Sequence, residues 1–224
     1  MAGMADDAFS DVSQAVLGMA GQHRIPALVA AVDRLSRSAG AEAVERATDV
    51  CTHQPFTTRR VTIGGKSRQQ LLQELLAHGV ALNAAAHELF ASDRLTTCER
   101  QCTLLTVELD LRQLGLADGA TIAQIHRSAA ARGLSLAPIE LGPHLRLQYT
   151  DQPEGFLNQP VTSHRAPPGS LTIASAPLSD DDRFPKGFYL RRIEGTLWLR
   201  GYRSDAAHRW DADDRFVFCR TPAS

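Results

Sequence analysis

The spacing of apolar residues changes from a helical period to a strand period near Leu104. Before this point apolar side chains recur three and four positions apart, as Leu71 and Leu75 do, which is typical of one face of a helix. After it, Val107 and Leu109 alternate with acidic residues, as in a half-exposed strand. Helices followed by strands favour an α+β fold.

Two helices are predicted before the change of period. The first runs from Ser67 to His78, because Ser67 and Gln70 have capping-box spacing and Gly79 suits the end of a helix. The second runs from Ala81 to Phe90. Since the connection between them is short, we expect the two to pair as a helical hairpin.

Further elements are predicted around and after the change. Thr96 and Glu99 also have capping-box spacing and could begin another turn, while Thr121 caps a helix that should stop at Gly133. Five strand-like runs follow, separated by turn-forming residues. They are HLRLQYT, SLTIASA, GFYLRRI, GTLWLRGY and RFVFCR. These runs predict a mainly antiparallel sheet with one packed helix.

The first quarter of the chain also has a helical pattern, which ends before the segment THQPFTT. We therefore divide the chain into a helical appendage at residues 1–60 and an α+β domain at residues 61–224. Within this domain, residues 151–170 are rich in proline and glycine. That composition predicts a loop between the first two strand runs.

Charge and composition exclude several classes of function. The net charge of −1 provides no overall field for attracting nucleic acid or an anionic membrane. No stretch is apolar over the length of a membrane span, and the start MAGMADDAF lacks the basic region of a signal peptide. Four scattered cysteines are too few for a disulfide framework in a chain of this size. We expect a cytoplasmic protein with reduced thiols and neither nucleic acid nor membrane as its partner.

Three motifs that carry chemistry are incomplete. The segment VTIGGKS resembles a phosphate loop, but Arg60 stands where the first glycine is required, so a plain turn and helix cap is expected. Cys98 and Cys102 could supply zinc ligands with His87, although free thiols fit the spacing better. The acidic clusters at 180–182 and 211–214 could bind magnesium, but the turn-forming role of Asp between strands fits them better. No metal or cofactor is predicted.

The run HLRLQYT gives the main candidate site. If it is a strand, Arg146 and Gln148 share one face with His144, while Tyr149 lies on the other face and Asp151 follows at the end. Arg146 offers a guanidinium fork for a carboxylate or phosphate, and Gln148 offers both a donor and an acceptor. The same face could instead be the solvated side of an antiparallel sheet.

Trp198 adds a second candidate on a neighbouring run. In GTLWLRGY it alternates with Leu197 and Leu199, so these sets face opposite sides of the sheet. An exposed tryptophan near Arg200 would mark a binding surface, because such residues dominate interface energetics. A buried one would belong to the core. The predicted ligand-binding residues are Arg146, Gln148, Tyr149, Asp151 and Trp198.

Several stretches of this chain resemble a group of short uncharacterised bacterial proteins that are often found near mobile elements. They are LGLADGATIAQIHRSAAARGLSLAPIELGPHLRLQYTDQPEG, LTIASAPLSDDD, GTLWL and WDADDRFVF, in this order. The resemblance covers roughly residues 61–220 and implies one compact domain, but no established activity. The chain departs from the group in its extra helical stretch before Val61, its longer loop at 156–169, and Ala137 in place of a more typical cysteine.

These observations predict a non-catalytic binding or accessory protein that acts through protein contact or a small anionic ligand. One alternative is a hydrolase or transferase whose site is built from His144, Arg146 and Asp151, with an acidic cluster as a further contributor. Another is a toxin-neutralising or mobile-element defence factor, which is suggested only by the mobile elements near which the resembling proteins are found.

Overall fold

The computed structural model describes residues 56–155 and 166–220. The chain divides into two compact units, at 1–54 and 55–224, and the description below concerns the second. The predicted N-terminal helices lie outside the described residues, as does most of the longer loop at 156–169. Thr57 to Arg60, which we assigned to the appendage, belong to the first strand. The predicted boundary at residue 60 otherwise stays a prediction.

Four helices and ten strands form the described part of the chain. The helices are α1 (Arg68–Ala77), α2 (Ala84–Ala91), α3 (Ile122–Ala130) and α4 (Leu141–Gln148). The strands are β1 (Thr57–Ile63), β2 (Ala81–Leu82), β3 (Cys102–Asp110), β4 (Ala120–Thr121), β5 (Leu134–Ser135), β6 (Leu171–Ile173), β7 (Gly187–Ile193), β8 (Thr196–Tyr202), β9 (Arg209–Trp210) and β10 (Arg215–Arg220).

Most of the strands form one sheet in the order β1-β3-β10-β6-β7-β8-β2, while β5 pairs with the end of β10. Neighbours are antiparallel except in two pairs, β6 with β10 and β2 with β8. A separate small sheet joins β4 to β9. The predictions of an α+β fold and a mainly antiparallel sheet are confirmed for the described residues.

The two faces of the large sheet are covered unequally. Helices α1, α2 and α4 pack on one face, in a cluster that includes Leu71, Leu75, Leu89, Phe90, Leu141, Leu145, Phe188, Leu190, Leu199 and Val217. Of the four described helices, only α3 packs on the other face, in a cluster that includes Val107, Leu109, Ile125, Ala129, Trp210, Phe216 and Phe218. We call these the three-helix face and the one-helix face. Within residues 56–155 and 166–220, this single helix of nine residues leaves part of the one-helix face without a helical cover.

The helix caps follow the sequence closely. Ser67 and Gln70 form the predicted capping box at the start of α1, and Gly79 adopts the positive φ of 69° that ends the helix. The segment GGKS is therefore a turn and a helix cap. Thr121 is the N-cap of α3, as predicted. The turn predicted from Thr96 and Glu99 is wrong, because that stretch has no helical residues.

The largest correction concerns HLRLQYT, which is not a strand: its first five residues are the C-terminal part of α4, and Tyr149 is the C-cap of the helix. Its polar and apolar residues alternate over too few positions to distinguish a strand from a short helix. Pro143 lies in the first turn of α4, where its missing N–H costs nothing and its fixed φ suits the helix. The polar strand face inferred from the sequence therefore does not exist.

Strand β3 is also buried more completely than its alternating pattern predicts. Glu108 is only 5% exposed, although we expected it on a half-exposed face. Its carboxylate lies 2.5 Å from Arg59 Nη1 and 2.7 Å from Arg215 Nη2, on the strands to either side of β3. These two cations compensate the burial of the charge, so the strand can occupy the interior of the sheet.

Candidate functional site

Arg146, the central residue of the predicted site, lies inside the fold with 0% exposure. Its Nη1 donates to Gln152 Oε1 at 2.5 Å, and its Nη2 donates to the carbonyl of Tyr149. Burial lowers the pKa of Arg146 to about 10. Gln152 in turn donates to the carbonyls of Gly169 and Leu190. In this structure Arg146 connects the end of α4 to β7 and to the loop before β6.

His144 and Gln148 also bind the protein itself. His144 is buried, and its Nε2 accepts a hydrogen bond from the Gly64 N–H at 3.1 Å. Gln148 accepts from the N–H of Thr62 at 3.0 Å and donates to the carbonyl of Thr62 at 2.8 Å. Both residues therefore fasten α4 to β1 and to the turn that follows it.

Of the remaining predicted residues, Tyr149 lies beside Arg146, whose Cζ is 5.8 Å from the tyrosine ring centroid. The Tyr149 ring contacts the guanidinium of Arg59, whose Cζ is 4.0 Å from the ring centroid, and Asp151 is exposed. Trp198 is half-buried beneath Arg200, on the one-helix face, whereas α4 packs on the three-helix face. The ligand-binding role of these five residues stays a prediction.

A larger cleft opens on the one-helix face, beside the first turns of α3. Its volume is about 440 Å³. We call it the acidic cleft. It is bounded by α3, by the segment between β6 and β7, and by the segment after β8, and its lining includes Ile122, His126, Ser175, Pro177, Asp180, Asp182, Lys186, Tyr202 and Asp205.

The charges lining the acidic cleft favour a positive ligand. Asp180, Asp182 and Asp205 contribute three carboxylates against the single ammonium of Lys186. Lys186 Nζ lies 3.1 Å from Asp182 Oδ1 and also donates to two backbone carbonyls, those of Ser179 and Asp181. Its three hydrogens are thus used within the protein. Burial lowers the pKa of His126, so its imidazole adds no positive charge at neutral pH.

Two buried polar atoms in this lining have no hydrogen-bond partner within the described residues. They are the hydroxyl of Ser175, a residue only 5% exposed, and Nε2 of His126. Leaving such atoms unsatisfied costs roughly 1–3 kcal/mol each, so a ligand that bonds to them gains stability. Since both atoms are unpartnered, they are not bonded to each other, and Ser175 has no histidine base in this arrangement.

Gly187 keeps this part of the cleft open. A Cβ placed on it would lie 3.2 Å from Ser175 Oγ and 3.4 Å from the Tyr202 hydroxyl oxygen. Any side chain at this position would therefore crowd the two hydroxyl groups. Glycine at this position avoids that crowding.

A smaller polar cavity of about 250 Å³ lies on the other side of the molecule, beside His144 and Lys66. The ammonium of Lys66 is 2.5 Å from Glu74 Oε2, and the Gln148 amide is bonded to Thr62. Its cation and its amide thus already have protein partners. This cavity is a weaker candidate for binding an anion than its composition suggests.

The acidic cleft is only partly predictable from the sequence. The acidic cluster at 180–182 was recognised, but Ser175, His126 and Tyr202 belong to three distant segments that only the sheet topology brings together. A serine after the apolar run LTIA is a weak indication of a buried hydroxyl. Within residues 56–155 and 166–220, no three His, Cys, Asp or Glu side chains are grouped so that they could hold a metal ion.

Comparisons with known proteins found no relative from which a function could be transferred. No family model matches the chain, and no significant match was found among curated proteins or solved structures. None of the four described helices has the length and apolar character needed to cross a membrane.

Proposed function

We propose that the protein is a non-catalytic binding protein whose acidic cleft accepts a positively charged group. The observation that carries this proposal is the unpartnered Ser175 hydroxyl, buried in a cleft whose rim has more carboxylates than cations. A guanidinium group suits this lining, because it donates in several directions and can stack on the ring of Tyr202.

The charge of the cleft changes the expected class of small ligand. A small anion was expected from Arg146, but the guanidinium of that residue is engaged inside the fold. An anion in the acidic cleft would be repelled by Asp180 and Asp205, whereas a cation would be attracted. A partner protein that inserts a basic side chain would use the same chemistry, which keeps protein contact within the proposal.

The lack of a base beside the Ser175 hydroxyl, in the part of the chain that the structure describes, favours binding over the hydrolase or transferase alternative. A serine nucleophile requires a base within hydrogen-bond distance, and the Ser175 hydroxyl has none in the described residues. The same unpartnered hydroxyl is well suited to accept a hydrogen bond from a ligand. The defence-factor alternative would be a special case of binding, with a basic protein as the partner.

The proposal is tested by titrating the protein with agmatine, which carries a guanidinium and an ammonium group, in a calorimeter. We expect saturable binding that weakens as salt is raised from 50 to 500 mM, because exposed charges are screened. Replacing both Asp180→Asn and Asp205→Asn should weaken binding about tenfold or more, since each lost attraction contributes at least about 1 kcal/mol.

The matched control is Asp118→Asn, which removes one exposed carboxylate from the turn before β4 and leaves the cleft unchanged. Gly187→Ala should also reduce agmatine binding, because the added methyl group occupies the space between the two hydroxyls. Binding of sulfate with no binding of agmatine would overturn the proposal. So would equal loss of affinity in the Asp118 control.

A further inference from the structure

A second cavity adjoins the acidic cleft across the ring of Tyr202, which lines both. Its volume is about 220 Å³. We call it the aromatic pocket, because the rings of Tyr189, Tyr202, His208 and Trp210 form most of its wall, with Thr172 and Arg203 beside them. It lies on the one-helix face, next to the cluster in which Trp210 packs.

Trp210 lines this pocket and carries an unpartnered hydrogen-bond donor. The residue is 5% exposed, and its Nε1 has no acceptor within the described residues. Its ring is held by edge contacts with Tyr202, His208 and Phe216, at centroid distances of 5.5, 4.9 and 5.0 Å. The donor is therefore fixed in position, and a ligand acceptor would remove the cost of its burial.

The aromatic pocket and the acidic cleft favour opposite ends of a ligand. Among the described residues no Asp or Glu lines the aromatic pocket, and Arg203 is the one lining residue there with a formal charge. The Arg203 guanidinium is paired with Glu88, and the indole N–H can only donate, so a ligand atom beside it must be an acceptor. A carbonyl or carboxylate oxygen is favoured, and aromatic walls also accommodate apolar groups.

We infer that the ligand is dipolar, with a guanidinium group in the acidic cleft and a carbonyl or carboxylate oxygen on Trp210 Nε1. This inference rests on the proposed function of the cleft. An arginine residue has both groups, joined by a flexible aliphatic chain that can pass the Tyr202 ring. The ligand class is therefore arginine, either as the free amino acid or as a residue of a peptide.

Three related probes test the inference: agmatine, L-arginine and N-acetyl-L-argininamide. Agmatine has the guanidinium but no carbonyl group, so it can satisfy the acidic cleft alone. We expect at least one of the other two to bind about five- to tenfold more tightly than agmatine, as one additional hydrogen bond to a buried donor warrants. Preference for L-arginine would identify the free amino acid, and preference for the amide a peptide.

Trp210→Phe should abolish this preference and leave agmatine binding unchanged, because it removes the N–H and keeps an aromatic ring. Since Trp210 is packed in a core cluster, the wild-type protein provides a second measurement. The Trp210 indole N–H resonance in a ¹H–¹⁵N spectrum should move downfield with the tighter probe and change little with agmatine.

The outcomes separate the inference from the proposed function. If all three probes bind equally and the indole resonance stays in place, the dipolar ligand is overturned while cation binding stands. If Trp198→Phe abolishes the preference and Trp210→Phe does not, the acceptor lies on the other tryptophan and the inference is wrong. If no probe binds, both the inference and the proposed function fail.

Discussion

Two buried residues at the start of α4, His144 and Glu140, join three segments of the chain. The Nε2 of His144 accepts from Gly64 N–H and lies 3.7 Å from Glu140 Oε2, while Glu140 Oε1 accepts from the N–H of Cys98 at 3.0 Å. Accepting from Gly64 requires that Nε2 carry no proton. The neutral imidazole therefore holds the turn after β1 to α4, while Glu140 holds the loop before β3.

Burial lowers the pKa of His144 below its usual value of 6.5, and Lys66 acts in the same direction. Glu140 and Glu74 oppose the shift but do not reverse it. The folded state therefore binds its proton less readily than the unfolded state. The resulting stability is fully present above pH 6.5 and is lost as the pH falls toward the lower folded pKa. His126 contributes with the same sign, because burial lowers its pKa too.

We expect His144→Gln to reduce this loss of stability on acidification. The Gln Oε1 can accept from Gly64 N–H but does not titrate, so the cost at pH 7 should be about 1 kcal/mol or less. Urea unfolding of the variant and the wild type between pH 7.5 and pH 5 measures the difference. His87→Gln, an exposed change on α2, should keep the wild-type slope. A variant that follows the wild type at every pH would show that His144 is not the group responsible.

Among the elements, those with caps and long periodic patterns could be predicted from the sequence. Helix α1 was located by its capping box and α3 by Thr121, and four of the five strand runs are β6, β7, β8 and β10. Helix α4 was missed because eight residues give barely two periods, and its buried polar residues imitate alternation. Arg146 was therefore placed on a surface although it lies in the core. Buried polar partners depend on tertiary contacts, which no local pattern encodes.

The edge of the sheet at β1 depends on a side chain of α4. Gln148 bonds to both the N–H and the carbonyl of Thr62, as a neighbouring strand would. In Gln148→Ala the N–H of Thr62 loses its acceptor. We therefore expect the amide hydrogen of Thr62 to exchange with solvent about tenfold faster than in the wild type. The exchange rates of the Val61 and Ile63 amide hydrogens should change less, since the backbone N–H groups of alternate residues in β1 face β3. Hydrogen exchange followed by NMR tests this, with Gln73→Ala on the exposed side of α1 as the control.

At the scale of the whole molecule, the proposed binding surface follows from the unequal cover of the sheet. Of the helices that the structure describes, three cover one face and α3 covers only part of the other, and cavities lie beside α3. The sequence indicated helices before strands, but it did not give the strand order that brings β6, β7 and β8 next to α3. The α+β class could therefore be predicted, whereas the position of the acidic cleft could not.

The same sheet should make the two hydrophobic layers unfold together. On β10, Val217 and Cys219 pack with the three-helix cluster, while Phe216 and Phe218 pack with the α3 cluster. A strand that carries both layers cannot lose one set of contacts without loosening the other. Leu75→Ala, in the three-helix cluster, should therefore lower stability by about 3 kcal/mol when unfolding is monitored at Trp210, on the opposite face.

The measurement uses a Trp198→Phe background, in which Trp210 is the only tryptophan of a chain that has two. Ile125→Ala, beside Trp210 in the α3 cluster, serves as the matched change and should lower the urea midpoint of the Trp210 fluorescence by a similar amount. If Leu75→Ala leaves that midpoint unchanged while Ile125→Ala lowers it, the layers unfold separately. The acidic cleft could then open without loss of the three-helix layer, whereas a common midpoint ties the cleft to the stability of the entire sheet.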